Sequence, residues 1–329
     1  MRVPITFLVL LATSLAVDKK APPLDLVPLT VSSSKELATP DVFYMGNAQC
    51  DDKGEIFFLS GSPQIRVVYK LMSDGSHDVY GLVGEDARKY YNKAFHADRD
   101  GRVSLLEIEG RSGRPVLFSF GEDSTEPPAR IALDAPPEMD SHDMRSFIQV
   151  KTGHILLQGF FGESAPAKNR GLAYIAEFDA SGRLLHTFME KDGYKVEGGH
   201  WVGHVSPLEG DDGFIYVLLP DKVLALSQTG RVRKTIKLAL PEGYVAFEMY
   251  LAGSRLAIGY YKPGKVALGE VSKVEPLYAL FDASSGRQLR AYKPVDELAK
   301  SLLVGFSDEG FIFYRSGRDG VHLLTARAD

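Results

Sequence analysis

The chain has 329 residues, 44% of them hydrophobic and 25% charged, with 32 Gly, 18 Pro and a formal net charge of −5. A mildly acidic chain without a basic run excludes nucleic acid and anionic membrane as main partners. One cysteine, Cys50, excludes an internal disulfide and a paired-cysteine metal site, and its place in an inner strand points to a buried thiol.

In chain order, residues 1–16 come first and read as a signal peptide. Arg2 is a minimal basic start, Val3 to Leu15 is apolar, and Ser14-Leu15-Ala16 sets small residues where signal peptidase reads. Cleavage is expected after Ala16, and the apolar stretch is too short to span a bilayer, so no membrane span is expected. No Asn-x-Ser/Thr sequon occurs at Asn47, Asn92 or Asn169. The expected location is therefore outside the cytoplasm, in a bacterial periplasm or the extracellular space.

Residues 17–329 carry one phrase six times: a turn ending in Gly, then an apolar run. Asp51-Asp52-Lys53-Gly54 precedes Ile56-Phe57-Phe58-Leu59, and Asp98-Arg99-Asp100-Gly101 precedes Val103-Ser104-Leu105-Leu106. The phrase recurs at Gly153, Gly213, Gly253 and Gly310. A spacing near about fifty residues with several strands per unit predicts a single all-β domain, a six-bladed β-propeller of four-stranded antiparallel blades. Outer turns such as Ala180-Ser181-Gly182 and Gln228-Thr229-Gly230 supply the positive φ of tight hairpins. The sixth unit stops after a third strand near His322 to Arg327. The apolar segment Leu24 to Ser32 has no unit of its own, and is expected to supply the missing outer strand and close the ring.

The strand, Asp-containing turn and strand phrase, with outer turns such as Asp179-Ala180-Ser181-Gly182, resembles the six-bladed propellers of the NHL and TolB-like type from about Leu24 to Asp329. The resemblance implies a fold that serves as scaffold, peptide or glycan binder, lactonase or lyase. Related lactonases of the senescence-marker type hold a divalent metal in the channel with Glu and Asn. This chain offers Glu248 there, while Asn92 and Asn169 are expected in connecting loops.

Other strings carry less chemistry. Gly259 to Val266 has the spacing of a phosphate loop, but Val266 lacks the hydroxyl needed for magnesium and no helix pattern follows; a Lys262-Pro263-Gly264-Lys265 hairpin turn is expected. His200 and His204 share a face on either a helix or a strand. Gly198, Gly199 and Gly203 disfavour the helix, and on a strand the two stand about 13 Å apart. Asn47, Gln49, His96, His142, Asp143, His204 and Glu248 fall near the starts of inner strands. They either hydrate the channel or bind a cation, with His96, His204 and Glu248 as the weak metal candidates.

The connections Val83 to Lys93, Asp134 to Met144, Gly162 to Gly171, Lys191 to Trp201 and Lys262 to Glu275 are long, and all emerge on one face of such a ring. One-sided growth marks a binding face. Its expected ligand contacts are Tyr90, Tyr91, His142, Tyr194, Trp201, His204 and Tyr261, aromatic and polar anchors suited to a protein, peptide or saccharide. No nucleophile elbow or oriented base accompanies them. The expected function is a monomeric binding or scaffold protein that needs no cofactor. The competing expectation is a lactonase-like metal-dependent hydrolase or lyase at the channel mouth, which would carry a divalent metal.

Overall fold

The computed structural model describes residues 25–37, 46–51, 53–62, 65–72, 74–82, 88–110, 112–121, 126–135, 142–161, 173–188, 206–219, 221–262, 275–317 and 320–328. Two strands, β1 (Leu26–Leu29) and β2 (Ser33–Leu37), precede the blades. Blade one is β3 (Gly46–Cys50), β4 (Ile56–Ser62), β5 (Ile65–Leu71) and β6 (His77–Tyr80). Blade two is β7 (Tyr90–Ala97), β8 (Val103–Glu109), β9 (Pro115–Ser119) and β10 (Ala129–Ala132). Blade three is β11 (His142–Gln149), β12 (Ile155–Phe161), β13 (Ala173–Phe178) and β14 (Leu184–Phe188). Blade four is β15 (Leu208–Glu209), β16 (Ile215–Leu219), β17 (Lys222–Leu226) and β18 (Val232–Lys237). Blade five is β19 (Val245–Ala252), β20 (Arg255–Tyr261), β21 (Leu277–Asp282) and β22 (Gln288–Pro294). Blade six is β23 (Leu302–Ser307), β24 (Gly310–Gly317) and β25 (Gly320–Ala326) with β2 as its fourth strand. The chain is a six-bladed, all-β propeller, and among the described residues its one helical element is a 3-10 turn at Leu298–Lys300.

The repeated phrase has a physical cause. In the first two turns the carbonyl and carboxylate of the leading Asp gather amides: Gly54 N and Gly101 N donate to the Asp51 and Asp98 carbonyls, Asp51 Oδ1 accepts from Lys53 N and Glu55 N at 2.9 Å, and Asp98 Oδ1 from Arg102 N at 2.8 Å. Gly101 closes its turn at φ +86°, a conformation that costs glycine little. The apolar run that follows is buried on both faces, because the second strand of a blade lies between two neighbours. Phe57 packs toward blade two, while Ile56 and Phe58 pack toward blade six.

Six apolar clusters result among the described residues, one at each blade–blade junction. Fully buried Phe57, Phe311 and Phe313 each contribute roughly 2 kcal/mol of transfer free energy there. The sixth cluster joins blade six to blade one and closes the ring.

Closure by an N-terminal strand is present, but the strand is Ser33–Leu37 rather than the expected Leu24 to Ser32. β2 pairs antiparallel with β25, Ser33 opposite Thr325, and Ser32 donates through both N (2.7 Å) and Oγ (2.8 Å) to Thr325 O. The apolar β1 goes elsewhere: it pairs parallel with β22 as a fifth strand on blade five, Leu26 opposite Ala291. Leu29 is buried against the cluster between blades five and six.

In blades one, two, three, five and six, the pairing of the inner strand with its neighbour shifts register near its start. The breaks lie between Gly46 and Gln49, Asn92 and Ala94, Met144 and Ser146, Ala246 and Glu248, and Leu303 and Gly305. A bulge leaves one residue unpaired and turns the following side chain. Asn92, expected in a loop, lies in β7 opposite Glu107, and Tyr90 and Tyr91 lie in the same strand.

Candidate functional site

The blades repeat one antiparallel meander around a ring, so all six inner strands run the same way along its axis. Their first residues gather at one end of the channel, where the long connections emerge; their last residues gather at the other, with the short turns. Two cavities follow each other along this axis. The loop-end chamber, about 220 Å³, is lined by Gln49, Phe247, Glu248, Met249, Leu302 and Tyr314 among others. The turn-end chamber, about 330 Å³, is lined by His96, Ser119, Phe120, Gln149, Lys151 and Phe306 among others. Cys50, Ala97, Leu208 and Tyr250 border both and form the waist.

Glu248 is the one carboxylic acid among the described residues that line the loop-end chamber. The bulge after Ala246 sets it opposite Gly259, and a side chain there would crowd it: a Cβ on Gly259 would lie 2.9 Å from Glu248 Oε2. Tyr261 donates its hydroxyl to Glu248 Oε2 at 2.8 Å. The residue keeps partial exposure to the channel, while its carboxyl is enclosed by protein. Burial pushes that carboxyl up to about 8, and the Tyr261 hydrogen bond pulls against the rise. Burial first, then the charge of Glu248, hold the hydroxyls of Tyr250, Tyr261 and Tyr278 well above the ordinary tyrosine range. Glu248 is thus a neutral acid near pH 7, one that donates or accepts a hydrogen bond.

Polar clips tie the blades together around the channel. Gln49 Nε2 donates to Phe95 O at 3.0 Å and Gln49 Oε1 accepts from Ala97 N at 2.8 Å, joining blade one to blade two. Ser119 Oγ donates to Gln149 Oε1 at 3.2 Å, joining blades two and three. Lys151 N donates to Glu209 Oε2 at 2.9 Å, joining blades three and four. Tyr250 Oη donates to Leu303 O at 3.1 Å, joining blades five and six. Arg99 pairs with Asp211 at 2.7 Å and spans from blade two to blade four.

The structure separates residues that the sequence grouped. His96 and Glu248 were both expected near strand starts; His96 instead lies near the end of β7 and lines the turn-end chamber, while Glu248 lines the other. His96 is buried, at 5% exposure, edge-on to Phe147 with centroids 6.0 Å apart, and burial lowers its pKa to about 4. Cys50 is half-buried rather than enclosed, with its thiol donating to Asp51 O at 3.4 Å.

Tyr91 is 64% exposed at the start of β7, Tyr90 is half-buried edge-on to Phe118, and Tyr261 faces Glu248. His142 and Asp143 lie at the start of β11, and Asn47 lies in β3, but the side chains of all three are outside the described residues. Tyr194, Trp201, His200, His204, Asn169 and the Pro263 to Val266 turn are also outside them. Asp51, Ser119 and Gln149 line the turn-end chamber and were not singled out. For Asp51 the signal was its turn, shared with Asp98; for the other two it was a polar residue at the end of an apolar strand. Burial pushes Asp51 up to about 6.

Among the described residues no three His, Cys, Asp or Glu side chains come together as a metal-ligand set. Tyr261 donates to Glu248, and Gln49 and Ser206 share the chamber wall, so this chamber offers one carboxyl where a divalent cation takes about six oxygen ligands, several of them charged. No described helix is long and apolar enough to cross a membrane.

Neither a protein-family profile nor a curated protein sequence matches the chain. Solved structures do. A luciferin-regenerating enzyme is similar at 8% identity, over 90% of this chain and 97% of that one, with a TM-score of 0.51. Streptogramin B lyase is similar at 10% identity over 90% and 97%, TM-score 0.46. Regucalcin from Agrobacterium tumefaciens, a calcium-binding protein, is similar at 10% identity over 92% and 97%, TM-score 0.47. At these identities the likeness is one of fold alone, and that fold is the β-propeller.

Proposed function

We propose that this chain is an exported, monomeric propeller of the NHL and TolB-like kind. It holds a protein, peptide or saccharide on the face where its long connections emerge. The observation that carries the reading is exposed apolar surface on the loop face. Leu302, 54% exposed at the start of β23, borders the loop-end chamber, and Tyr91, 64% exposed at the start of β7, stands at the same end outside the chamber lining. Behind Leu302 lie Phe247 and Tyr314, with Gln49, Ser206 and neutral Glu248 as the polar groups of the wall. Apolar walls with a few convergent polar groups are what ligand sites share. Export rests on the apolar stretch Val3 to Leu15 and the Ser14-Leu15-Ala16 cleavage pattern.

Peptide and glycan arrays probed with the purified protein test the binding reading, with a Tyr91→Ala/Leu302→Ala variant run beside it. Signals present for the parent and lost in the variant support it. Signals equal in both, or none for the parent, refute it. N-terminal sequencing of protein recovered outside the cytoplasm should begin at Val17; intact Met1 on soluble cytoplasmic protein would refute export.

One observation favours the competing hydrolase or lyase. A carboxyl raised to about 8 in a cavity is a ready proton donor, and strongly shifted acids cluster at functional sites. Glu248→Gln abolishing turnover of a lactone or an ester would favour that reading over simple binding.

A further inference from the structure

The turn-end chamber lies at the opposite end of the channel from the face just discussed. Its volume, about 330 Å³, falls at the lower end of small-molecule sites. His96 lines it while 5% exposed, and its Nδ1 is buried without a hydrogen-bond partner. An unmet polar nitrogen is costly inside a protein unless something in the cavity reaches the imidazole. Along the same wall, Ser104 Oγ donates to Ser119 Oγ and Ser119 Oγ to Gln149 Oε1, each at 3.2 Å. That chain of hydroxyls ends on a side-chain amide whose NH₂ is a further donor.

Arg99, Arg102 and Lys151 stand among Asp51, Asp98, Asp100 and Glu209, three cations against four acids, and Arg99 already pairs with Asp211. Asp51 and Asp98 hold turn amides and Glu209 accepts from Lys151 N and Gln228 Nε2. The wall therefore offers an anion no surplus of positive charge, and a cation meets carboxylates mostly engaged within the protein. Phe120 and Phe306 add flat apolar surface beside the hydroxyl and amide groups. We infer that the turn-end chamber is a second binding site, for a small neutral polyol of monosaccharide size. The hydroxyls of such a molecule meet His96, Ser119 and Gln149 while its carbon face lies on the phenylalanines. This inference does not rest on the loop-face reading, since the two chambers meet only at the waist.

Imidazole nitrogen NMR on the full-length, ¹⁵N-labelled protein tests it, with D-glucose, D-galactose and glycerol added in separate titrations. A His96→Gln variant identifies the His96 signals. At least one polyol should shift them saturably, with a dissociation constant on the order of 1 mM or tighter. Ser119→Ala, which cuts the hydroxyl chain, should weaken that binding about tenfold, a loss in the range of one hydrogen bond. Leu302→Ala, at the other end of the channel, should leave it unchanged. If none of the three polyols moves His96, or if Ser119→Ala binds as tightly as the parent, the inference is wrong.

Discussion

Tyr261 donates to Glu248 Oε2 at 2.8 Å, although thirteen residues separate the two along the chain. β19 and β20 bring them together: Val245 stands opposite Tyr261, and the bulge after Ala246 brings Glu248 opposite Gly259. The pair sets the chemistry of the loop-end chamber, because it decides where the one enclosed carboxylic acid holds its proton.

The Glu248 carboxyl moves from 4.5 in its ordinary state to about 8 in the fold. An acid whose folded pKa is raised binds more protons folded than unfolded between those values. Stability from this group is therefore full below pH 4.5 and falls as pH rises through about 8. The loss should be roughly 3–5 kcal/mol across the window. Glu248→Gln should flatten it in urea unfolding followed across that range. Tyr261→Phe removes the bond that lowers the carboxyl, and should move the Glu248 titration still higher. His96 offsets this slope below pH 6.5, so the readout is the parent's stability minus that of Glu248→Gln; a difference that is level from pH 4.5 to 8 would contradict the enclosed, neutral carboxyl.

His96 imposes the opposite slope on the acid side. Its pKa falls from 6.5 to about 4, so the unfolded chain binds the extra proton. Stability from this group is full above pH 6.5 and is lost as pH falls through about 4, by roughly 2–4 kcal/mol. His96→Phe should remove that slope while keeping the edge-on packing against Phe147. Unfolding midpoints that depend on acid equally in parent and variant would show that His96 is not buried as described.

Gln49 is the clip between blades one and two, meeting both Phe95 O and Ala97 N. Gln49→Ala leaves a buried backbone amide and carbonyl without their side-chain partners and should cost about 1–3 kcal/mol. The check is the urea midpoint at constant slope; an unchanged midpoint would mean that solvent in the channel replaces the clip.

The two N-terminal strands should differ when removed. A chain truncated through Val31 keeps β2 and loses β1, and should unfold in one cooperative step at a modestly lower temperature. A chain truncated through Leu37 uncovers the β25 edge, opens the ring closure, and should lose cooperative unfolding or aggregate. Equal melting of the two truncations would refute closure by Ser33–Leu37.

That closing strand also shows what the sequence could and could not disclose. The six Gly turns and the apolar runs after them were legible, because a second strand buried on both faces must be apolar throughout. Ser33 to Glu36 are exposed, and β2 is held by backbone pairing with β25 rather than by side chains. It left no apolar pattern, so the apolar Leu26–Leu29, which packs on blade five, was assigned its place. Blade four's inner strand, two residues at Leu208–Glu209 among those described, was faint for the same reason. Glu248 stood out as a lone acid in an apolar strand, but the bulge that turns it toward Tyr261 has no residue signature. Nor does sequence reveal depth along the axis, which is what parts His96 from Glu248.

The account's central claim is that the loop end of the channel holds a ligand. Isothermal titration of an array-selected ligand into the parent and into Tyr91→Ala/Leu302→Ala tests it most directly. Both side chains are exposed, so the variant should melt within about a degree or two of the parent, as surface changes do. It should bind at least about tenfold more weakly, the scale of losing a central apolar anchor. Equal affinity in a variant that folds as the parent does would contradict the claim.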